Sequence, residues 1–134
     1  MTSARKGAIR AADIPADVLQ ALSHGQMQSA TLAECLALDQ AMLVRTVFPG
    51  LSASALKAVN AACALGVLKR MACIGAVLLD ELGTDEIAQC QSHAADTVRG
   101  WACFMIGAQP ALDPQARLTS IRPLADDAHF GVRE

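Results

Sequence analysis

The sequence has no tyrosine, one tryptophan and three phenylalanines, although 53% of its 134 residues are hydrophobic. Alanine and leucine supply that apolar content instead. Sheets favour β-branched and aromatic side chains, whereas Ala and Leu are good helix formers, so the scarcity of rings argues against a sheet protein. Nowhere do apolar and polar residues alternate over a sustained stretch, which removes half-buried strands from consideration. Long apolar runs are missing as well. The longest, Met71 to Leu79, has nine residues, where a bilayer-spanning helix needs about 20. Arg5, Lys6 and Arg10 are followed by no apolar run, so the start does not read as a signal peptide.

Five cysteines are present, at positions 35, 63, 73, 90 and 103, but none forms a Cys-X-X-Cys pair. That scattered, odd set predicts reduced thiols in a cytoplasmic protein, each behaving as a small buried hydrophobe. Clustered Cys and His ligands are lacking, so neither a metal nor another cofactor is expected. His24, His93 and His129 lie far apart with no Ser or Cys partner at a catalytic spacing. There is no Gly-rich phosphate loop. The net charge is −2, and with Arg5, Lys6 and Arg10 set aside the remaining 8 cations face 13 anions. A strong nucleic-acid binder has the opposite balance.

What is present is helical periodicity. Residues 1–12 read as a flexible basic tail and residues 13–134 as one domain, long enough to enclose a core. Pro15 opens a short helix that Ser23-His24-Gly25 ends, with His24 at the surface. Thr31-X-X-Glu34 is a capping-box pattern opening a second helix that runs to Pro49-Gly50. Leu32, Cys35, Leu36, Met42, Leu43 and Val47 form its core stripe, and Asp39 falls in the middle of it. A carboxylate there needs a partner: it either pairs with an Arg or caps a neighbouring helix, or it faces a cleft as a site residue. Ser52 or Ser54 starts a third helix. The fourth, Leu68 to Leu82, is apolar on nearly every side across ACIGAVLL and is therefore predicted to be the central, most buried one. Gly75 on it would permit a close helix crossing. A short fifth helix begins at Thr84.

The sixth helix, Ala94 to Gly107, carries a continuous stripe of Val98, Trp101, Ala102, Met105 and Ile106. Asp96 is placed to cap its start, and Arg99 points off the stripe. Asp113-Pro114 starts a seventh helix, and Asp126-Asp127 caps a further start at the end of the chain. Val98-Arg99 and Val132-Arg133, each preceded by Asp, lie 34 residues apart. Such a period marks a helical solenoid, in which each pair of helices buries its face against its neighbours. The predicted fold is all-α: about seven helices as HEAT-like or ARM-type pairs in a short right-handed superhelix.

His93-Ala94-Ala95-Asp96-Thr97-Val98-Arg99, with Phe104 and Gly107, resembles a motif of the AlkD-type DNA alkylation repair glycosylases. Residues 126–134, DDAHFGVRE, are similar to the next repeat of that family, and Ile14 to Val47 resembles the N-terminal part of HEAT-like relatives. The resemblance implies a curved stack whose concave face holds duplex DNA and whose Asp carboxylate helps expel alkylated purines, with Trp residues against the lesion. An anion suits that task because positive charge develops on the sugar as the base leaves.

The family motif is Trp-Asp-X-Val-Asp, and the matching positions here are Ala95, Asp96, Thr97, Val98 and Arg99. The catalytic carboxylate is replaced by a guanidinium, which would repel the developing cation. The chain also stops where the family continues for several helices. The reading is therefore a non-enzymatic HEAT-like domain with no catalytic residue, acting through a protein partner or weak duplex-DNA contacts by Arg99, Arg133 and Trp101. A working glycosylase would need a relocated carboxylate, Asp39 or Asp127. A third alternative is a structural fragment that self-associates. In any of these, homo-oligomerisation is expected at the C-terminal end, through Trp101, Ile121, Leu124, Phe130 and Val132.

Overall fold

The computed structural model describes residues 5–134. After a 3-10 turn at Ala11–Asp13 come nine α-helices: α1 (Ala16–Ser23), α2 (Leu32–Ala37), α3 (Gln40–Val47), α4 (Ala53–Ala62), α5 (Val67–Glu81), α6 (Thr84–Cys90), α7 (Asp96–Ala108), α8 (Pro114–Ala125) and α9 (Phe130–Arg133). No strand occurs among the described residues, so the protein is all-helical. No described helix is long and apolar enough to cross a membrane.

Two departures raise the helix number above seven. The expected second helix breaks at Leu38, whose backbone is extended, and restarts as α3. Asp39 causes the restart: its carboxylate accepts the Met42 N–H at 3.0 Å, while Ser23 Oγ accepts the Asp39 N–H. Asp39 is thus an exposed N-cap, not a residue on a buried stripe. The second departure concerns α9: the further helix start expected at the end of the chain is there, but it is one turn capped by the His129 side chain and not by Asp126-Asp127.

The residues expected to be a loose tail divide in two. Positions 1–4 lie outside the described residues. From Arg5 onward the segment is tied down, because Arg5 pairs with Glu34 and Ala8 bonds to both Glu34 and Thr31.

Packing follows chain order. α3 lies against α1 and α4, and α4 against α5; α7 then packs against α5, α6, α8 and α9. This makes α7 the centre of the fold and corrects the expectation for α5. Eight residues of α7 are buried, from Asp96 to Ile106, with Val98, Trp101, Ala102 and Met105 wholly enclosed. On α5 only Ile74, Gly75 and Leu78 are buried, and Ala72, Cys73 and Ala76 face outward. The α5–α7 crossing is close where Gly75 lies: a Cβ there would be 2.9 Å from Phe104 Cβ. Trp101 donates its indole N–H to Gln40 Oε1 at 3.1 Å, which satisfies both buried groups. All five cysteines are free thiols.

Candidate functional site

The polar groups converge where the loop before α2 meets the first turns of α7 and α9. Asp96 is at the heart of this region, and it is not the helix cap that its position suggests. It stands inside the first turn of α7 and makes no cap bond. Its carboxylate accepts the Ser29 N–H at 2.8 Å and the Ser29 hydroxyl at 2.7 Å, with Cys35 Sγ at 3.6 Å. His129 Nε2 donates to the Ser29 carbonyl at 2.6 Å and lies 3.6 Å from the same carboxylate. His129 Nδ1 accepts the Gly131 N–H at 3.0 Å. Those partners assign the ring proton to Nε2. Ser29, Asp96 and His129 are all buried.

Ser, His and Asp side by side raise the question of hydrolytic chemistry, and the geometry answers it. Nucleophilic serine needs an imidazole lone pair on its hydroxyl. Here the Ser29 hydroxyl is given to Asp96, and both imidazole nitrogens are engaged by backbone. Cys35, 2.7 Å from Ser29 Oγ, is no better placed. Burial, with Asp96 adding to it, pushes its thiol up to about 11, so the reactive thiolate is not formed at neutral pH. The cluster joins three segments and activates no atom.

Arg99 forms a second knot beside it. Nε donates to Asp127 Oδ2 at 2.8 Å, Nη1 to the His93 and Ala94 carbonyls at 2.7 and 3.3 Å, and Nη2 to Gln28 Oε1 and Asp127 Oδ1 at 2.8 and 3.3 Å. Every guanidinium N–H therefore has a partner inside the protein. Burial raises the Asp127 carboxyl, but the His129 N–H and Arg99 outweigh it and hold the group below its ordinary value. His93 is moved down, by burial first and by Arg99 second. The first turn of α7 is thus tied to the segment before α9, Arg99 gripping Asp127.

The residues singled out from sequence separate accordingly. Trp101 is 0% exposed and cannot touch DNA. Arg99 is saturated. Asp127 is its counter-ion and Asp39 is a helix cap on another part of the surface, so neither is a free carboxylate. Arg133 alone of the set is exposed with a largely open guanidinium, its one bond a 3.5 Å contact to the Ala128 carbonyl. The expected self-association surface is also altered, since Trp101, Leu124 and Val132 are core residues and only Ile121 and Phe130 are half-buried.

Two clefts flank this region. The polar one, about 370 Å³, is lined by Arg5, Gln28, Arg99, Asp127, His129 and Arg133. The apolar one, about 460 Å³, lies between α2, α5, α7, α8 and α9, and includes Leu32, Leu36, Leu68, Met71, Phe104 and Ile121 in its lining. Leu32 and Leu36, expected in the core, are 62% and 46% exposed on its rim, and Leu68 is 73% exposed. Sequence reasoning missed both Glu34 and Ser29. Glu34 read as half of a capping box, but its carboxylate turns away from the Thr31 N–H and is wholly buried against Arg5. No protein-family model, curated protein or solved structure matches the chain.

Proposed function

We propose that this chain is a non-enzymatic helical-repeat binding domain, HEAT-like in build and related to the alkylation repair glycosylases. Its partner on this reading is a second copy of itself, docked through the apolar cleft. The observation that carries the proposal is the exposure of Leu32, Leu36 and Leu68 around one concave apolar surface. Large side chains gathered in this way mark interaction sites, whereas single exposed leucines do not. Two further features support it. Helices in substantial contact are one or two positions apart in chain order, as in a solenoid. The polar groups that might have done chemistry are consumed by one another. Light scattering tests the proposal: the mass should rise towards that of a dimer with concentration, and Leu68→Glu should keep the chain monomeric. A monomer at every concentration refutes it.

A weak contact with duplex DNA is the second reading, favoured by the exposed and largely open guanidinium of Arg133 at the polar cleft. Phosphate contacts of this kind position DNA without reading sequence. Arg133→Ala should weaken duplex binding and lower its salt slope by about one. Excision of a methylated purine above the spontaneous rate would overturn the non-enzymatic reading.

A further inference from the structure

The segment Arg5 to Ala8 is held against α2 by a set of contacts that reads like peptide recognition. The Arg5 guanidinium meets the Glu34 carboxylate fork to fork, Nη1 to Oε2 at 2.7 Å and Nη2 to Oε1 at 2.6 Å. Nη2 also donates to the Gln28 carbonyl at 3.2 Å. The Glu34 carboxylate is oriented by the Ala30 N–H at 2.9 Å, which belongs to the body of the protein. Ala8 is gripped on both sides of its backbone: its N–H goes to Glu34 Oε2 at 3.1 Å, and its carbonyl accepts the Thr31 hydroxyl.

Between these anchors Gly7 has φ +71°, and a Cβ there would lie 2.7 Å from Ala30 Cβ and 2.9 Å from Glu34 Oε2. Only glycine meets both conditions, a left-handed backbone and no room for a side chain. Each contact therefore selects a chemical feature: a planar bidentate cation, then a glycine two residues later, then a free backbone N–H and C=O.

The same segment has no apolar anchor. Ile9 is 88% exposed, and the turn Ala11–Asp13 has no buried residue. Among the described residues, Val18 is the first that packs against the apolar core. A segment held by polar contacts alone belongs to the part of a fold that opens locally at small cost. When it opens, it leaves a complete socket behind, made of Glu34, Ala30, Thr31 and the Gln28 carbonyl.

We propose that this surface is a recognition socket for an Arg-X-Gly-X segment, and that the chain's own Arg5–Ala8 fills it as a displaceable latch. A partner entering the socket must carry the same features. Displacing the latch also removes Arg5 from the polar cleft and uncovers Glu34 beside it, so occupancy of the socket sets the charge that the cleft presents. The proposal does not depend on self-association or on DNA.

The test uses the full chain and a labelled, N-acetylated peptide of residues 5–12, RKGAIRAA, read by fluorescence anisotropy. Arg5→Ala weakens the internal latch, so that variant should bind the peptide at least about tenfold more tightly than the unmodified chain, whose latch competes. Adding Glu34→Gln should abolish the gain. Peptides carrying Arg5→Lys or Gly7→Val should each bind about tenfold or more weakly. Equal binding by the two chains, or indifference to the glycine, overturns the proposal. Should Arg5→Ala fail to fold, amide hydrogen exchange on the unmodified chain decides. The Ala8 amide should exchange at least about tenfold faster than Met105 on α7, and matching rates would show that the segment opens only with the whole fold.

Discussion

α5 and α7 are close in length and both rich in apolar residues, yet one is a wall and the other the axis of the fold. α5 has the denser apolar run, and it buries three residues along a single stripe. α7 carries Asp96, Thr97, Arg99 and two glycines, and buries eight. The difference lies in neighbours. α7 is packed by α5, α6, α8 and α9, whereas α5 is packed mainly by α4 and α7. Apolar residues on every side of a helix are a supply of burial, and the number of partners decides how much of it is used. The surplus on α5 becomes surface, and part of it, Leu68 and Met71, becomes the lining of the apolar cleft.

That contrast can be tested most sharply by truncation. Trp101→Ala, at the centre of α7, is expected to cost about 3–5 kcal/mol and to orphan the Gln40 amide that it now satisfies. On α5, Leu78→Ala should cost about 2–5 kcal/mol, whereas Leu68→Ala, ten residues earlier and largely exposed, should stay within about 0.5 kcal/mol. Urea unfolding of dilute protein measures all three. A large loss at Leu68 would show that α5 is covered on its second face.

The polar side of the comparison gives a smaller effect. Asp96→Asn keeps the shape of the side chain but places an amide N–H₂ where Ser29 now donates, so one donor faces another. A loss of about 1–3 kcal/mol is expected, with the far-ultraviolet circular dichroism of the folded state unchanged. A neutral result would mean that the Ser29–Asp96–His129 cluster contributes nothing to joining α7 and α9 to the α2 loop.

The contribution of the latch, read through pH, is smaller than that of the cluster. The Arg5 guanidinium beside Glu34 holds its carboxyl down at about 2, against an ordinary value of 4.5, with burial opposing and the Ala30 and Ala8 N–H groups assisting. A carboxylate with a lowered pKa in the folded state stabilises the fold above its unfolded value and loses that contribution as the pH falls. The stability from Glu34 is therefore complete above about pH 4.5 and declines between pH 4.5 and 2. Partial exposure of Arg5 screens the pair, leaving about 1–2 kcal/mol. Glu34→Gln should flatten the stability curve in that window, and an unchanged slope would show that other carboxylates govern it.

The order of the helices was legible from local signals. Asp113-Pro114 marks the start of α8, as its cap bond bears out; of the two serines that could start α4, Ser52 or Ser54, it is Ser52 that caps it; and the stripe from Val98 to Ile106 is the buried face of α7. Gly75 was legible as a crossing point. These features depend on residues within a few positions of one another, where spacing and capping chemistry act directly. The break at Leu38 was not legible, because Asp39 fits the helical stripe by position and only its own cap bond reveals otherwise.

Composition and periodicity by themselves determined that this protein is helical, where most of its helices begin, and that Trp101 lies on the apolar stripe of α7. The tertiary structure alone decided which helix is central, that Arg99 is spent on Asp127, that Asp96 serves Ser29 instead of its own helix, and that Glu34 holds Arg5. The physical reason is range. The three polar partnerships join residues 28, 67 and 29 positions apart. A hydrogen-bonding side chain looks the same in sequence whether its partner is water, its own helix end or a carboxylate brought from the far side of the fold.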